Sequence, residues 1–299
     1  MKVSVIVPTF NKAPRLNLML ASAVCQNFDL HEVEILLIDD GSIDETEQVV
    51  EKYRNRLNLQ YLRKNHGGRS FARNEGIRAA KGEIVIFSDD DVIWGKSFLI
   101  SHYQRQKEQG PCVVHGQIRS LPFVKFFENP TTGSLYAGMG SKLSLNRLRS
   151  RCISEEDISH YFEQKVHQNS NLSTTEQMIF SIFEQDVKSL QWLGCTGANF
   201  SAPLEDLKAI HGFDEGFGLT WGFEDFELGY RLQALGREFL YSVDAVNYHL
   251  VHFRQTLEDE LETSFHYFYS LHPDESLKNI YEFLSGKIDE KFFLQRSGY

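Results

Sequence analysis

Residues Glu83-Ile84-Val85-Ile86-Phe87-Ser88-Asp89-Asp90-Asp91 join four consecutive β-branched or aromatic side chains to three consecutive acids. A short apolar run of this kind, entered through Gly82, suits a strand buried on both faces of a parallel sheet. Open α/β sheets bind ligands in the crevice outside the carboxyl ends of their strands, which is where these acids fall. Three adjacent carboxylates repel one another and call for a cation. A hard divalent ion, Mg²⁺ or Mn²⁺, shared between one or two carboxylates and the phosphate oxygens of a substrate, fits that donor set. Asp89 and Asp91 stand two apart, so in extended chain their side chains face the same way. The plain alternative is a solvated acidic turn.

Outward from this strand the chain keeps a regular beat. Residues 2–7 read as a strand ended by Pro8, and Asn11 is placed to cap a helix with Pro14 in its first turn. Residues 33–38 form a second strand, after which Ser42 and Glu45 have the spacing of a capping box. A helix carrying Val49, Val50 and Tyr53 leads to a third strand at 59–62. Asn65-His66-Gly67-Gly68 then turns into a helix over 69–80. Strand and helix alternating in this way predict a parallel sheet covered by helices on both faces. Beyond Asp91 a helix over 96–109 and a strand over 112–118 follow. Residues 121–190 are polar and irregular, and read as a surface excursion of the kind that is functional or mobile. Order returns with a helix over 203–210, a helix over 224–235 stopped by Gly236, and a strand over 238–243. From about residue 255 the tail reads as two helices around His272-Pro273-Asp274, with an aromatic face (Phe265, Tyr267, Phe268, Tyr269, Tyr281, Phe283) packed on the body or against a partner.

Composition narrows the class. The 299 residues are 41% hydrophobic and 24% charged, ordinary globular values. A formal net charge of −10 disfavours nucleic acid as a partner. Cys25, Cys112, Cys152 and Cys195 are widely spaced, which fits neither a zinc site nor a disulfide framework. The sequence shows no signal peptide and no apolar run long enough to span a bilayer. These features predict a soluble cytoplasmic protein, with peripheral membrane contact left open.

The polar groups at the strand ends supply the candidate chemistry. Phe10 can stack on a planar base, or pack in the core. Asp40 can accept from a ring N–H or a ribose hydroxyl, or cap a helix. Arg69 and Arg73, behind two glycines at a helix start, suit a diphosphate. Glu224-Asp225 opens another helix, where the dipole alone would favour carboxylates. A transferase acting on a hydroxyl also needs a base there, and Trp221 offers a ring to a sugar face. His249 and His252, followed by Arg254, include a candidate further metal ligand.

The order and spacing of these pieces resemble family-2 glycosyltransferases with the GT-A fold. The matching segments are Val5-Ile6-Val7-Pro8-Thr9-Phe10-Asn11, Ile38-Asp39-Asp40-Gly41-Ser42, Ala72-Arg73-Asn74-Glu75-Gly76 and Phe87-Ser88-Asp89-Asp90-Asp91, with Gly197-Ala198-Asn199-Phe200, Gly212-Phe213-Asp214-Glu215 and Trp221-Gly222-Phe223-Glu224-Asp225 in the second half. The half around Trp221 is also similar to galactosyl- and N-acetylgalactosaminyltransferases. The resemblance covers about residues 1–118 and 192–254. It implies an α/β GT-A domain over 1–254, with a nucleotide-sugar half (1–118), a variable insertion (119–191) that selects the acceptor, an acceptor and catalytic half (192–254), and a helical extension over 255–299. It further implies metal-dependent transfer of a hexosyl group, with inversion, from a nucleotide sugar, usually a UDP-sugar. The acceptor class stays open among saccharide, lipid-linked, peptide and small-molecule hydroxyls.

By the same resemblance Pro8, Phe10 and Asp40 hold the uridine, Arg73 lies near the nucleotide, and Asp90 and Trp221 line the donor site. Asp91 ligates Mn²⁺ or Mg²⁺, with Asp89 on ribose or metal and His249, then His252, as the further ligand. Asp225 is the base, and Glu224 beside it binds acceptor or donor sugar. The family's usual Asp-Ala-Asp is here Asp-Asp-Asp. Two other classes remain as alternatives. A noncatalytic glycan-binding or scaffolding protein on this fold is disfavoured by two intact acidic motifs. A nucleotidyltransferase would need more cations near the first loop than Lys12 alone.

Overall fold

A computed structural model describes residues 1–138, 151–253 and 257–297, which leaves Arg254 outside the described chain. Its core is one mixed sheet of nine strands, with helices on both faces. Four strands, β1 (Val3–Thr9), β2 (Val33–Asp39), β3 (Leu59–Arg63) and β4 (Ile84–Phe87), run parallel in the order β3-β2-β1-β4, as the strand–helix alternation predicts. β1 continues through Pro8 to Thr9, beyond the expected stop. Helices α1 (Ala13–Val24), α2 (Thr46–Tyr53) and α3 (Arg69–Ala79) are the crossovers between them.

Alternation of side chains along each strand divides the core in two. Val3, Val5, Val7, Ile35, Leu37, Ile84 and Ile86 face α1, α2 and α4 (Phe98–Gln109). Ile6, Leu36, Ile38, Val85 and Phe87 face α3 and the second half of the chain. Every residue of β2 and β4 is buried, which is why β4 reads as an unbroken apolar run and β2 as one over residues 35–38, with Glu34 a buried exception.

The second half completes the sheet in mixed sense. β5 (Val92–Trp94), which the sequence reading did not anticipate, follows the acids at once. β6 (Cys112–Ser120) lies further across the sheet. β7 (Phe127–Asn129) and β8 (Ser134–Leu135) form a separate hairpin. β9 (Asn171–Leu172) pairs with β6, and β10 (Phe200–Pro203) inserts antiparallel between β4 and β6. β11 (Glu238–His249) runs parallel to β6 and antiparallel to β5, and is twice as long as expected. Asn199 pins this junction: its amide donates to the carbonyls of Gln117 and Ala245, and its Oδ1 accepts from His102 Nε2 at 2.8 Å.

Two local expectations are corrected. Asn11 and Ser42 do not cap helices. Asn11 is left-handed (φ 53°) and its Oδ1 accepts the Ile43 amide, while Ser42 Oγ accepts the Asn11 amide. One carboxylate from between the two helices, Asp44, serves both starts, accepting from Ala13 N–H at 2.9 Å and Thr46 N–H at 3.1 Å.

The described residues of the irregular region, 121–138 and 151–190, are a structural part of the body, and 139–150 lie outside the described residues. Leu121, Val124, Phe127, Ile153, Ile158 and Val166 extend one core, with α5 (Glu155–His160) and α6 (Phe162–Lys165). Met178, Ile179 and Ile182 of α7 (Thr174–Glu184) extend the other. Buried Arg15 ties this region to α1 by donating to the carbonyls of Phe127, Glu128 and Leu250. After α8 (Leu204–Ala209) and α9 (Glu224–Ala234) come three tail helices where the sequence suggested two: α10 (Leu257–Leu271), α11 (Ser276–Leu284) and α12 (Glu290–Arg296). Their apolar faces join the main core through Phe265, Phe268, Ile280, Phe283 and Phe293. Phe268 is fully buried against Trp192, Phe223 and Tyr230. Phe268→Ala is expected to cost about 3–5 kcal/mol in urea unfolding, and a neutral result would detach the tail from the core.

Candidate active site

The acid triplet does not continue as extended chain. Ser88 and Asp89 leave β4, the chain turns at Asp90–Asp91, and β5 runs back along the end of β11, pairing Val92 with His249. Leu250 N–H donates to the Asp91 carbonyl at 2.8 Å. That ladder delivers His249 and His252 to Asp91 from the far side of the sheet. The turn also separates Asp89 from Asp91, against the expectation that both face one ligand: Asp89 meets Arg73, while Asp91 meets Lys12 and the histidines.

Asp91, His249 and His252 bring their ligand atoms within 4.8 Å of one another. Asp91 Oδ2 accepts from Lys12 Nζ at 2.6 Å and lies 3.2 Å from His252 Nε2. Its Oδ1 is buried without a hydrogen bond among the described residues, and His249 Nε2 at 3.7 Å is too far to supply one. A buried carboxylate oxygen left open beside two imidazoles fits a divalent ion with mixed oxygen and nitrogen ligands. Asp90 is turned elsewhere. It accepts from Thr9 Oγ1 at 2.7 Å and lies 3.4 Å from Lys12 Nζ. Burial opposes charge on both aspartates. Lys12 and His249 nonetheless hold Asp91 well below the usual carboxylate range, whereas burial and the Asp91 charge push Asp90 up to about 6 despite Lys12.

The second acid pair is joined to the first by one guanidinium. Arg73 is 2% exposed and donates to Asp89 Oδ1 at 3.1 Å and to Glu224 Oε1 at 3.0 Å, with its guanidinium carbon 5.2 Å from the centre of the Phe213 ring. Burial works against its charge, and Asp89 and Glu224 more than offset that. Arg73 is therefore a buried bridge rather than a cation exposed for phosphate. Arg69, at the start of α3, is half-buried, and its charge is felt at Lys12. The backbone of Gly197 packs directly on the Arg73 guanidinium, leaving no room for a side chain. Gly197 N–H in turn donates to Asp225 Oδ2 at 2.7 Å. Burial, with the Glu224 charge beside it, raises the Asp225 pKa to about 7 against the pull of Arg73 and the Gly197 amide. A carboxylate poised near neutrality is suited to take a proton from a hydroxyl.

Local strain sets the entrance to α9. Phe223 precedes Glu224 in left-handed geometry (φ 62°) and is buried against Phe226, Phe265 and Phe268. Gly222 N–H donates to Glu224 Oε2, and Ser264 of the tail donates to the Gly222 carbonyl. Asn74 explains two further motif pieces: it exchanges hydrogen bonds with the Phe213 backbone and donates to Glu215, fixing that turn against α3.

Among the residues expected to hold a nucleotide, Phe10 is 41% exposed and stacks on His66 with ring centroids 4.3 Å apart. Pro8 is half-buried at the end of β1, and Trp221 is half-buried just before α9. Asp40 is buried beside the glycine loop. Its carboxylate accepts the Gly67 and Gly68 amides at 2.8 and 2.9 Å and lies 2.8 Å from His66 Nδ1, so it shapes the glycine loop. Gly68 needs its left-handed backbone and its missing side chain, because the Gly218 carbonyl packs against it. Sequence reading missed the roles of Lys12, Thr9 and Gly197. Only Lys12 carried a signal, as the one cation in the loop after the first strand.

Residues 4–197 match glycosyl transferase family 2, and residues 179–254 match the N-terminal domain of galactosyltransferase. Among curated proteins, the poly(ribitol-phosphate) β-N-acetylglucosaminyltransferase TarP of Staphylococcus aureus is 36% identical over 236 residues, covering 70% of this chain and 72% of its own. Several other curated relatives are longer, and the chain spans about half to two thirds of their length. Among solved structures, residues 1–349 of S. aureus TarS in complex with UDP-GlcNAc align with a TM-score of 0.55 at 21% identity, over 94% of this chain and 70% of that one. The mannosyltransferase PcManGT from Pyrobaculum calidifontis, in complex with GDP-Man and Mn²⁺, aligns with a TM-score of 0.56 at 18% identity, over 90% and 63%. Both alignments show the same fold.

Arg73→Met would strand Asp89, Glu224 and Asp225 without their shared counter-charge. It is expected to cost about 3–5 kcal/mol in chemical denaturation. A loss below about 1 kcal/mol, the range of an exposed ion pair, would show that Arg73 is not the bridge.

Proposed function

This chain belongs to glycosyl transferase family 2, and from that premise we propose that it moves a sugar from a UDP-sugar to an acceptor hydroxyl, inverting the anomeric carbon, with Asp225 as general base. The observation that carries this reading is the presence of two unlike acidic sites, with buried Arg73 bridging Asp89, two residues before Asp91 of the first, to Glu224, next to Asp225 of the second. One has an open carboxylate oxygen beside two histidines. The other has a carboxylate raised to about 7.

Asp91, His249 and His252 would hold the divalent ion, which supplies charge neutralisation for the leaving diphosphate. The Mn²⁺ in the Pyrobaculum enzyme supports an ion here, and the UDP-GlcNAc in TarS supports a uridine donor. Phe10 offers its exposed ring to the base, with Pro8 alongside. Arg69 adds positive potential on the phosphate side. Asp89 and Glu224 stay on Arg73, which keeps the donor acids and α9 in register. Glu224 is thus a brace for its neighbour as well as a candidate sugar contact. Trp221, just before α9, presents a ring to the transferred sugar. Asp225, ionised and held by Gly197 N–H, removes the acceptor proton as its oxygen attacks the anomeric carbon opposite the leaving group.

Calorimetry with UDP tests the donor site. UDP should bind with Mn²⁺, weaken in chelator, and lose the Mn²⁺-dependent part in Asp91→Asn. Equal binding with and without chelator would remove the ion from this reading. Asp225→Asn should keep UDP affinity and lower kcat by about 10²–10⁴, the usual worth of general base catalysis. Only the ionised carboxylate accepts a proton. Wild-type kcat/KM should therefore fall about tenfold per pH unit below a pKa of about 7 and level off above it. A flat profile from pH 5 to 8 would exclude Asp225 as the base.

A further inference from the structure

Lys12 does more than precede α1. Its ammonium donates to Asp91 Oδ2 at 2.6 Å and lies 3.4 Å from both Asp90 Oδ1 and His252 Nε2. These groups surround the place where a divalent ion would bind. The side chain is only a quarter exposed, and it springs from a helix start held by Asp44 on the Ala13 amide. Burial favours loss of its proton, but Asp90 and Asp91 overcome that and keep it an ammonium. Asp91 is used unequally as a result. Oδ2 is taken by Lys12, and Oδ1 stays open.

We propose that Lys12 is the resident counter-cation of this cluster, neutralising Asp91 and Asp90 in the free protein and lowering the cluster's own affinity for a divalent ion. The proposal rests on the metal reading above and deepens it. With Lys12 the two aspartates and the lysine sum to one negative charge, and without it to two. A unit positive charge about 5 Å from a divalent ion weakens binding roughly tenfold even under water-like screening. A nucleoside diphosphate restores the balance, because its oxygens are both ligands for the ion and a second anion for the ammonium. Ion capture then depends on the diphosphate, and the free protein does not trap the ion unproductively.

The test is Mn²⁺ binding to the whole chain without nucleotide, read from the paramagnetic resonance signal of free Mn²⁺, for wild type, Lys12→Met and Lys12→Arg. Thermal melts establish that each variant is folded, and Lys12→Gln replaces Lys12→Met if that one is not. The expected result is Mn²⁺ affinity about tenfold or more tighter in Lys12→Met, with Lys12→Arg, which keeps the charge, close to wild type. Equal affinity in wild type and Lys12→Met overturns the proposal while the metal site stands. So does Lys12→Arg tightening as much as Lys12→Met, since shape and not charge would then be the cause. No Mn²⁺ binding in any protein, even with UDP added, removes the metal site itself, and the proposal falls with it.

Discussion

The Arg73 guanidinium, buried between Asp89 and Glu224, is the contact on which the site depends. Each carboxylate belongs to a different part of the chain. Asp89 follows the central strand of the parallel half, and Glu224 opens the helix that carries Asp225. Glu224 is buried and Asp89 only partly so, and a buried carboxylate left without a counter-charge is costly. The bridge makes the two halves of the site one electrostatic unit. It also explains Gly197, whose backbone must lie against the guanidinium to reach Asp225.

Charge is balanced within the site in two layers. Arg73 serves Asp89 and Glu224, and Lys12 serves Asp90 and Asp91. Two consequences differ in kind. Beside Lys12 and His249, Asp91 is held ionised and keeps one open oxygen, as a ligand must. Beside Glu224 and partly desolvated, Asp225 has its pKa lifted towards neutrality, as a base must. Two carboxylates of similar intrinsic acidity are thus set to different tasks by their surroundings.

The tail and the irregular region hold this arrangement from outside. Phe223 would not keep left-handed geometry at the start of α9 without Phe265 and Phe268 packed on it and Ser264 on the Gly222 carbonyl. Arg15 ties the first helix, next to Lys12, to the hairpin of the irregular region and to Leu250, one residue past His249. Segments that look dispensable in sequence therefore fix the backbone on both sides of the site.

Much of this was legible in the residues themselves. The apolar runs over residues 35–38 of β2 and Ile84–Phe87 of β4 predicted buried parallel strands, because strands covered on both faces lack polar alternation. The acid triplet, the Glu224-Asp225 pair and the two histidines were visible as chemistry out of place in a core. The family resemblance paired Asp91 with the histidines, but the residues alone did not show how these groups meet. Asp91 meets His249 only because β5 turns back to pair with β11, and Arg73 meets Glu224 only because β10 inserts antiparallel beside β4. The same holds for the hydrogen bonds from the glycine loop to Asp40, and for Asp44, which caps two helices that Asn11 and Ser42 seemed to cap. A side chain's type and its local period are fixed by the sequence. Which donor finds which acceptor across 150 residues is decided by strand order and register, and those emerge only when the whole core packs.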